Sequence, residues 1–204
     1  MKILAIGKNY VSSKEEISSN KTGHQIIFSK PESSLVMNNA DVVYPSFTND
    51  LRYEAELVLK IGKTGNNISE KEALSFVSEL GIGIDFTAKD VFDLYRELKG
   101  PWDLSKGFDG AAPVSKFKPF AQFTDVNNIN FGLKISGKEM QSGNTSLMIY
   151  SFSEIVAFVS KFMTLQPGDL IFTGTPASGT GQIFKEDRLQ ASIEGEVLLD
   201  FIMV

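Results

Sequence analysis

Cysteine is absent from all 204 residues, so neither a disulfide framework nor a thiol nucleophile is open to this chain. Histidine is nearly as scarce, since His24 stands alone. A Ser-His-Asp triad, a Cys-His pair or a multi-histidine zinc centre must use that one residue or cannot exist. No apolar run approaches the roughly 18 residues of a membrane-spanning helix, so no membrane partner is expected. Basic residues never run together: 20 Lys and Arg lie scattered among 25 Asp and Glu, for a net charge of −5, which argues against nucleic acid as a partner. The stretch Met1–Gly7 is too short for the apolar core of a signal peptide and reads as a strand, so a cytoplasmic protein is expected. Gly81-Ile82-Gly83 has no third glycine opening a helix, which fails the dinucleotide fingerprint, and the glycine-rich 174–181 stretch lacks the Gly-Lys-Ser/Thr of a P-loop. Any chemistry must be carried by carboxylates, lysine, hydroxyls and a metal ion.

What is present suffices for one packed unit over residues 1–204, with residues 1–45 as a small N-terminal part: 42% of residues are hydrophobic and 16 are Phe. Strands are expected at 2–7, 26–28, 41–44, 52–61, 80–86 and 170–173. A hairpin is expected to turn at Gly137-Lys138, and another near Glu194-Gly195-Glu196. Ser69 and Glu72 spell a capping box, and Ala73, Leu74, Phe76, Val77 and Leu80 repeat at helical spacing, predicting a helix over 70–80. Thr87 as N-cap with Asp90 at N3 predicts a helix over 88–99, ended by Gly100-Pro101, and Ser153 opens one reaching about Phe162. Residues 11–25 are polar and poor in apolar anchors, and read as a loop or frayed helix and a candidate lid. Strands outnumber helices and no βαβ alternation is sustained, so the fold class is mainly β or α+β.

Three carboxylates stand out against this background. In the strand Arg52–Ile61, Glu54 and Glu56 point the same way, roughly 7 Å apart along the chain. Like charges beside an apolar run repel unless something neutralises them. A second apolar strand, Leu80–Phe86, ends in Asp85. Solvated glutamates and a helix N-terminal aspartate would explain each stretch in isolation. Together they form the hard-oxygen set that Mg²⁺ or Mn²⁺ prefers, with Ca²⁺ also admissible.

Six segments in order carry a resemblance: Tyr53-Glu54-Ala55-Glu56-Leu57, Gly83–Asp90, Gly100–Asp109, Pro113-Val114-Ser115, Gln141–Tyr150 and Pro167–Pro176. Together, and from Gly7-Lys8-Asn9-Tyr10 to the C-terminal strand, the chain resembles the fumarylacetoacetate hydrolase family, in its small acylpyruvate hydrolase/oxaloacetate decarboxylase-like branch. The resemblance implies a rolled β-sandwich with peripheral helices and a homodimer. It implies a divalent metal on Glu54, Glu56 and Asp85, with Lys106 beside it, and a small 2-oxo or enol acid as substrate. The reaction would be hydrolysis, decarboxylation or isomerisation through a metal-stabilised enolate. Gly174 and Thr175 lie in the turn that contacts substrate in the family. The departures matter as much. The family's lid carries a catalytic His and, three residues on, a Glu; in register those positions are Ser13 and Glu16. Lys89 and Phe92 stand where the family carries Arg and Gln at the substrate. His24 lies on the same polar loop as a substitute. The alternative is a weakened relative that binds metal and small acids without turnover.

Overall fold

The computed structural model describes residues 1–204. A six-stranded mixed sheet runs in the order Ile26–Lys30, Ile3–Gly7, Leu170–Phe172, Ala55–Ile61, Val77–Ile84, Lys118–Pro119. Ile3–Gly7 is parallel to Leu170–Phe172, and every other pairing in the sheet is antiparallel. A four-stranded antiparallel sheet, ordered Lys138–Asn144, Asn130–Ile135, Arg188–Ile193, Glu196–Ile202, lies against it. Two smaller ladders complete the β-structure: Gly181–Gln182, Leu51–Tyr53 and Thr87–Ala88 in one, Leu35–Val36 and Ala112–Pro113 in the other. The longest helices, Lys89–Glu97 and Phe152–Ser160, have only 9 residues each. The architecture is the expected mixed α+β type, and no helix is long and apolar enough to cross a membrane.

Burial on two faces explains the continuous apolar runs. Leu4, Ile6, Leu57, Leu59 and Ile171 enter a core cluster of 39 buried residues between the sheets. Their alternating neighbours Ile3, Ala5, Val58, Leu170 and Phe172 enter a smaller cluster of 7 on the other face. A strand covered on both sides must be apolar at every position. The four-stranded sheet is covered on one face, so Phe131, Leu133 and Ile135 alternate with more exposed residues. Its hairpins turn through residues with left-handed backbone, Ser136-Gly137 (φ 49° and 83°) and Glu194-Gly195 (φ 49° and 79°), the primed turns that match strand twist.

Several local expectations move. The predicted helix over 70–80 is helical only at Glu70–Ala73, continues as a single 3₁₀ turn at Leu74–Phe76, and then becomes the strand Val77–Ile84. Ladder bonds along Ala55–Ile61 outweigh the helical spacing, which arose from the end of one element meeting the start of another. Gly81 and Gly83 mark that strand, because a Cβ would come within 2.9 Å of Phe117 and 2.8 Å of Phe172 respectively. Thr87 is not an N-cap: Thr87–Ala88 pairs with Leu51–Arg52, and the helix starts at Lys89. Asp90 instead accepts from Thr48 Oγ1 and the Asn49 amide. Ser151, not Ser153, caps the later helix, in a capping box with Glu154. The expected 41–44 strand reduces to an isolated bridge of Val42 with Met203.

Candidate active site

The chain leaves the Leu51–Tyr53 strand at Glu54 and enters the next at Ala55, which pairs with Ile84, while Glu56 pairs with Gly83. The Asp85 amide donates to the Glu54 carbonyl at 2.8 Å, drawing the end of the second strand alongside the break between the first two. Glu54, Glu56 and Asp85 therefore converge, with one carboxylate oxygen from each lying within 4.8 Å of the others. Glu56 and Asp85 are buried and Glu54 is partly open.

Two lysines face the trio. Lys106, at the end of the Asp103–Lys106 helix, places its ammonium 2.5 Å from Glu54 Oε2 and 2.7 Å from Asp85 Oδ2. Burial opposes its charge, but Asp85 and Glu54 outweigh burial and hold the ammonium protonated well beyond the usual lysine range. Lys30 ends the edge strand, and its ammonium is inaccessible to water. It donates to the carbonyls of Phe86, Lys106 and Ala111, which uses its three hydrogens. It also lies 2.6 Å from Asp85 Oδ1, so that oxygen receives Lys30's charge but no aligned hydrogen bond. Burial pushes the Lys30 ammonium below the lysine range, against the pull of Asp85. Burial works against a charged Asp85 too, yet Lys106 and Lys30 hold it below the carboxylate range.

Glu56 is the counter-case. Burial first, then Asp85 and Glu54, push its carboxyl well above the ordinary range, although the Gly174 amide donates to its Oε2 at 2.7 Å. Three carboxylates face two ammoniums, so ionising Glu56 with the other two leaves one negative charge unmatched. A divalent cation fits here on two counts: hard oxygen donors, and a carboxylate that burial and its neighbours force toward neutrality.

The 173–175 turn is built to serve this site. Gly174 has φ 101°, and a Cβ there would sit 2.6 Å from Asn9 Cβ. Asn9 fixes the turn by donating to the carbonyls of Tyr150 and Thr173 and accepting from the Tyr150 amide. Gln141 accepts from the Ala55 amide and donates to Thr175 Oγ1 at 2.9 Å, while that hydroxyl donates to the Ala55 carbonyl. Thr175 keeps one free lone pair and no free hydrogen, so toward a ligand it can only accept.

A cavity of about 240 Å³ opens on the trio and is also lined by Lys106, Lys89, Phe92 and Thr175. Lys8 and Arg52 add positive charge at its wall, Arg52 held by Asp50 and Lys89 by Asp93. Glu16 and His24 are not in this wall. Glu16 opens the short helix Glu16–Asn20 and contacts Ser13, and the 11–25 segment is tied down by Gly23 donating to the Tyr150 hydroxyl and Lys21 pairing with Glu154. Lys30, Asn9, Gln141, Lys8 and Arg52 escaped the sequence reading. Lys8, Asn9 and Gln141 sit inside the quoted motifs, but Lys30 carries no local signal beyond ending a strand before proline.

A trio of carboxylates converging at the ends of sheet strands, with an adjoining lysine, is a group that could hold a metal ion. Residues 2–199 match the fumarylacetoacetate (FAA) hydrolase C-terminal family, and the chain belongs to it. Among its relatives, a mitochondrial oxaloacetate tautomerase of Bos taurus is 36% identical over 199 residues, covering 98% of this chain and 90% of the relative. A mitochondrial oxaloacetate decarboxylase of Dictyostelium discoideum is 34% identical over 195 residues, covering 95% of this chain and 89% of the relative. The fumarylpyruvate hydrolase of Pseudomonas aeruginosa, solved in complex with Mn²⁺ and pyruvate, superposes with a TM-score of 0.88 at 30% identity, covering 100% of this chain and 90% of that one.

Proposed function

We propose that this chain is a divalent-metal-dependent enzyme acting on small 2-oxo acids through their enol forms, by tautomerisation or decarboxylation ahead of C–C hydrolysis. The observation that carries it is the convergence of Glu54, Glu56 and Asp85, whose oxygens would hold Mg²⁺ or Mn²⁺. The ion would supply Lewis-acid polarisation of the substrate's 2-oxo group. Lys106 stands beside the same cavity with a permanent charge, suited to stabilising negative charge as it develops on an enolate oxygen. Thr175 offers only an acceptor, which suits the O–H of an enol and not a carboxylate oxygen. Lys8, which makes no ion pair, and Lys89 supply point charges for the carboxylate, without the bidentate fork of the arginine that the family carries at position 89. Gly174 acts through Glu56, as a positioning residue.

Hydrolysis of an acylpyruvate requires a base that activates water beside the scissile carbon, and neither Glu16 nor His24 lines the cavity. The names of the tautomerase and decarboxylase relatives support the same preference. The test strips metal with chelator, restores Mg²⁺ or Mn²⁺, and follows oxaloacetate enol absorbance, pyruvate release and acetylpyruvate loss. Metal-dependent turnover of oxaloacetate is expected, with acetylpyruvate hydrolysis about 10²–10⁴-fold below that of a relative possessing the base. Turnover that survives chelation, or hydrolysis as the fastest reaction, refutes the reading.

A further inference from the structure

Beside the carboxylate cavity lies a larger groove of about 570 Å³. Its floor is the edge strand Ile26–Lys30, and its sides are the Gly100–Asp103 turn and Phe158, Phe162 and Met163 at the end of the Phe152–Ser160 helix. Ile26, Phe28 and Trp102 line both spaces, so the groove adjoins the cavity across these three side chains. Trp102 is held in that shared wall by edge contacts with Phe28 (5.5 Å) and Phe92 (5.0 Å). The two spaces are chemically opposite. Every cation is on the cavity side, while the only charged residue lining the groove is Asp103. The groove's one orphaned polar atom is Gln25 Oε1, an acceptor. Both repel a second carboxylate. The cavity alone is smaller than the roughly 300–1,000 Å³ of ordinary ligand sites, and the groove brings the joined space into that range.

We infer that the groove is the tail subsite of the same site: the substrate is a 2-oxo monoacid whose far end is an apolar alkyl or aryl group. Such an acid has no 3-carboxyl to lose, so tautomerisation is the one of the two reactions above that it undergoes. Its acid end faces the cations and carboxylates, and its tail crosses Ile26, Phe28 and Trp102 toward Phe162. The inference rests on the reading above for the head of the substrate, and departs from the dicarboxylates named for the relatives.

Trp102 is the chain's only tryptophan, so its emission reports on the shared wall. The Mg²⁺-loaded protein is titrated with pyruvate, 2-oxohexanoate, 2-oxo-octanoate and the diacid 2-oxoglutarate. The dissociation constant is expected to fall about two- to fourfold per added methylene. That makes 2-oxo-octanoate on the order of 30-fold or more tighter than pyruvate, with a growing blue shift, while 2-oxoglutarate binds no tighter than pyruvate. Phe162→Glu and Ile26→Glu, at positions 70% and 55% exposed where a charged side chain stays in water, should flatten the series. A flat series in the wild type, or a steep one untouched by both variants, overturns the inference. So does a flat series in which Phe162→Glu converts a dimer to monomer, which would assign the groove to a second copy of the chain. Metal-dependent turnover beside a flat series sinks only the tail subsite; a steep series without turnover of any acid sinks only the reaction.

Discussion

Replacing Lys30 by methionine removes a charge from a place that water does not reach. The ammonium satisfies the carbonyls of Phe86, Lys106 and Ala111 and lies 2.6 Å from Asp85 Oδ1. Methionine nearly fills the same volume, so the cavity cost is small and the loss is electrostatic. Breaking a buried pair from one side costs about 3–5 kcal/mol, and the stranded carbonyls belong to that same loss and are not added to it. Against a typical total of about 5–15 kcal/mol this is a large fraction, equivalent to about 6–20 °C in a chain of this length. Urea denaturation followed by circular dichroism should show a lower midpoint with an unchanged slope. Adding Asp85→Asn should cost less than the two single changes together, by about 1–3 kcal/mol, because the double variant strands no charge of this pair. A Lys30→Met protein within 1 kcal/mol of wild type, or strict additivity, refutes the claim that this ammonium anchors Asp85.

Glu56→Gln should raise the melting temperature of chelated protein, since burial and the neighbouring carboxylates make an ionised Glu56 costly. The folded carboxyl titrates above the ~4.3 of a free glutamate, so metal-free wild type should lose stability as pH rises from there through the folded value. The same variant should lose most of the ~2.7 kcal/mol that wild type gains at a hundredfold excess of Mn²⁺ over its dissociation constant, read as the shift in melting temperature. Asp169, distant from this site, accepts from the Lys2 and Gln166 amides and pairs with the Lys2 ammonium at 2.6 Å. Burial opposes its charge, but Lys2 and the two amides hold the carboxyl below the ~3.9 of a free aspartate. Its contribution is complete above that value and disappears as pH falls through the folded value, so Asp169→Asn should cost about 1.5–3 kcal/mol at pH 7, a gap that closes below about pH 4. Gly174→Ala forces a Cβ to 2.6 Å from Asn9 Cβ at φ 101°, and should cost about 1–3 kcal/mol. By moving the amide that holds Glu56 it should also weaken Mn²⁺ binding about tenfold or more by calorimetric titration; an unchanged affinity would detach this turn from the metal site.

Local physics made a good part of this protein readable from its residues. The residues alone placed Glu54 and Glu56 two positions apart and Asp85 at the end of an apolar run. The expected single strand Arg52–Ile61, however, breaks at Glu54 into two ladders, and that break, tied to the Asp85 amide, brings the three together. Runs such as Ile3–Ile6 and Leu57–Leu59 announced strands, and Glu194-Gly195 announced its own turn, while only the structure showed those strands covered on both faces. What the chain could not announce was proximity across long separations. Gly174 reaches Glu56 over 118 positions because their strands are neighbours in one sheet, whereas Lys30 reaches Asp85 over 55 positions although three strands of that sheet lie between theirs. Val77–Leu80 kept its helical spacing in sequence yet became strand, because a seven-residue neighbour offered it a full ladder. Glu16 carried the right chemistry by register but was placed on a helix outside the cavity wall, and Phe92 gained its meaning from Trp102 and the groove behind it. Side-chain alternation and turn geometry are set within a few residues, whereas a site's charge balance and its walls are sums over the whole fold, and only tertiary packing performs that sum.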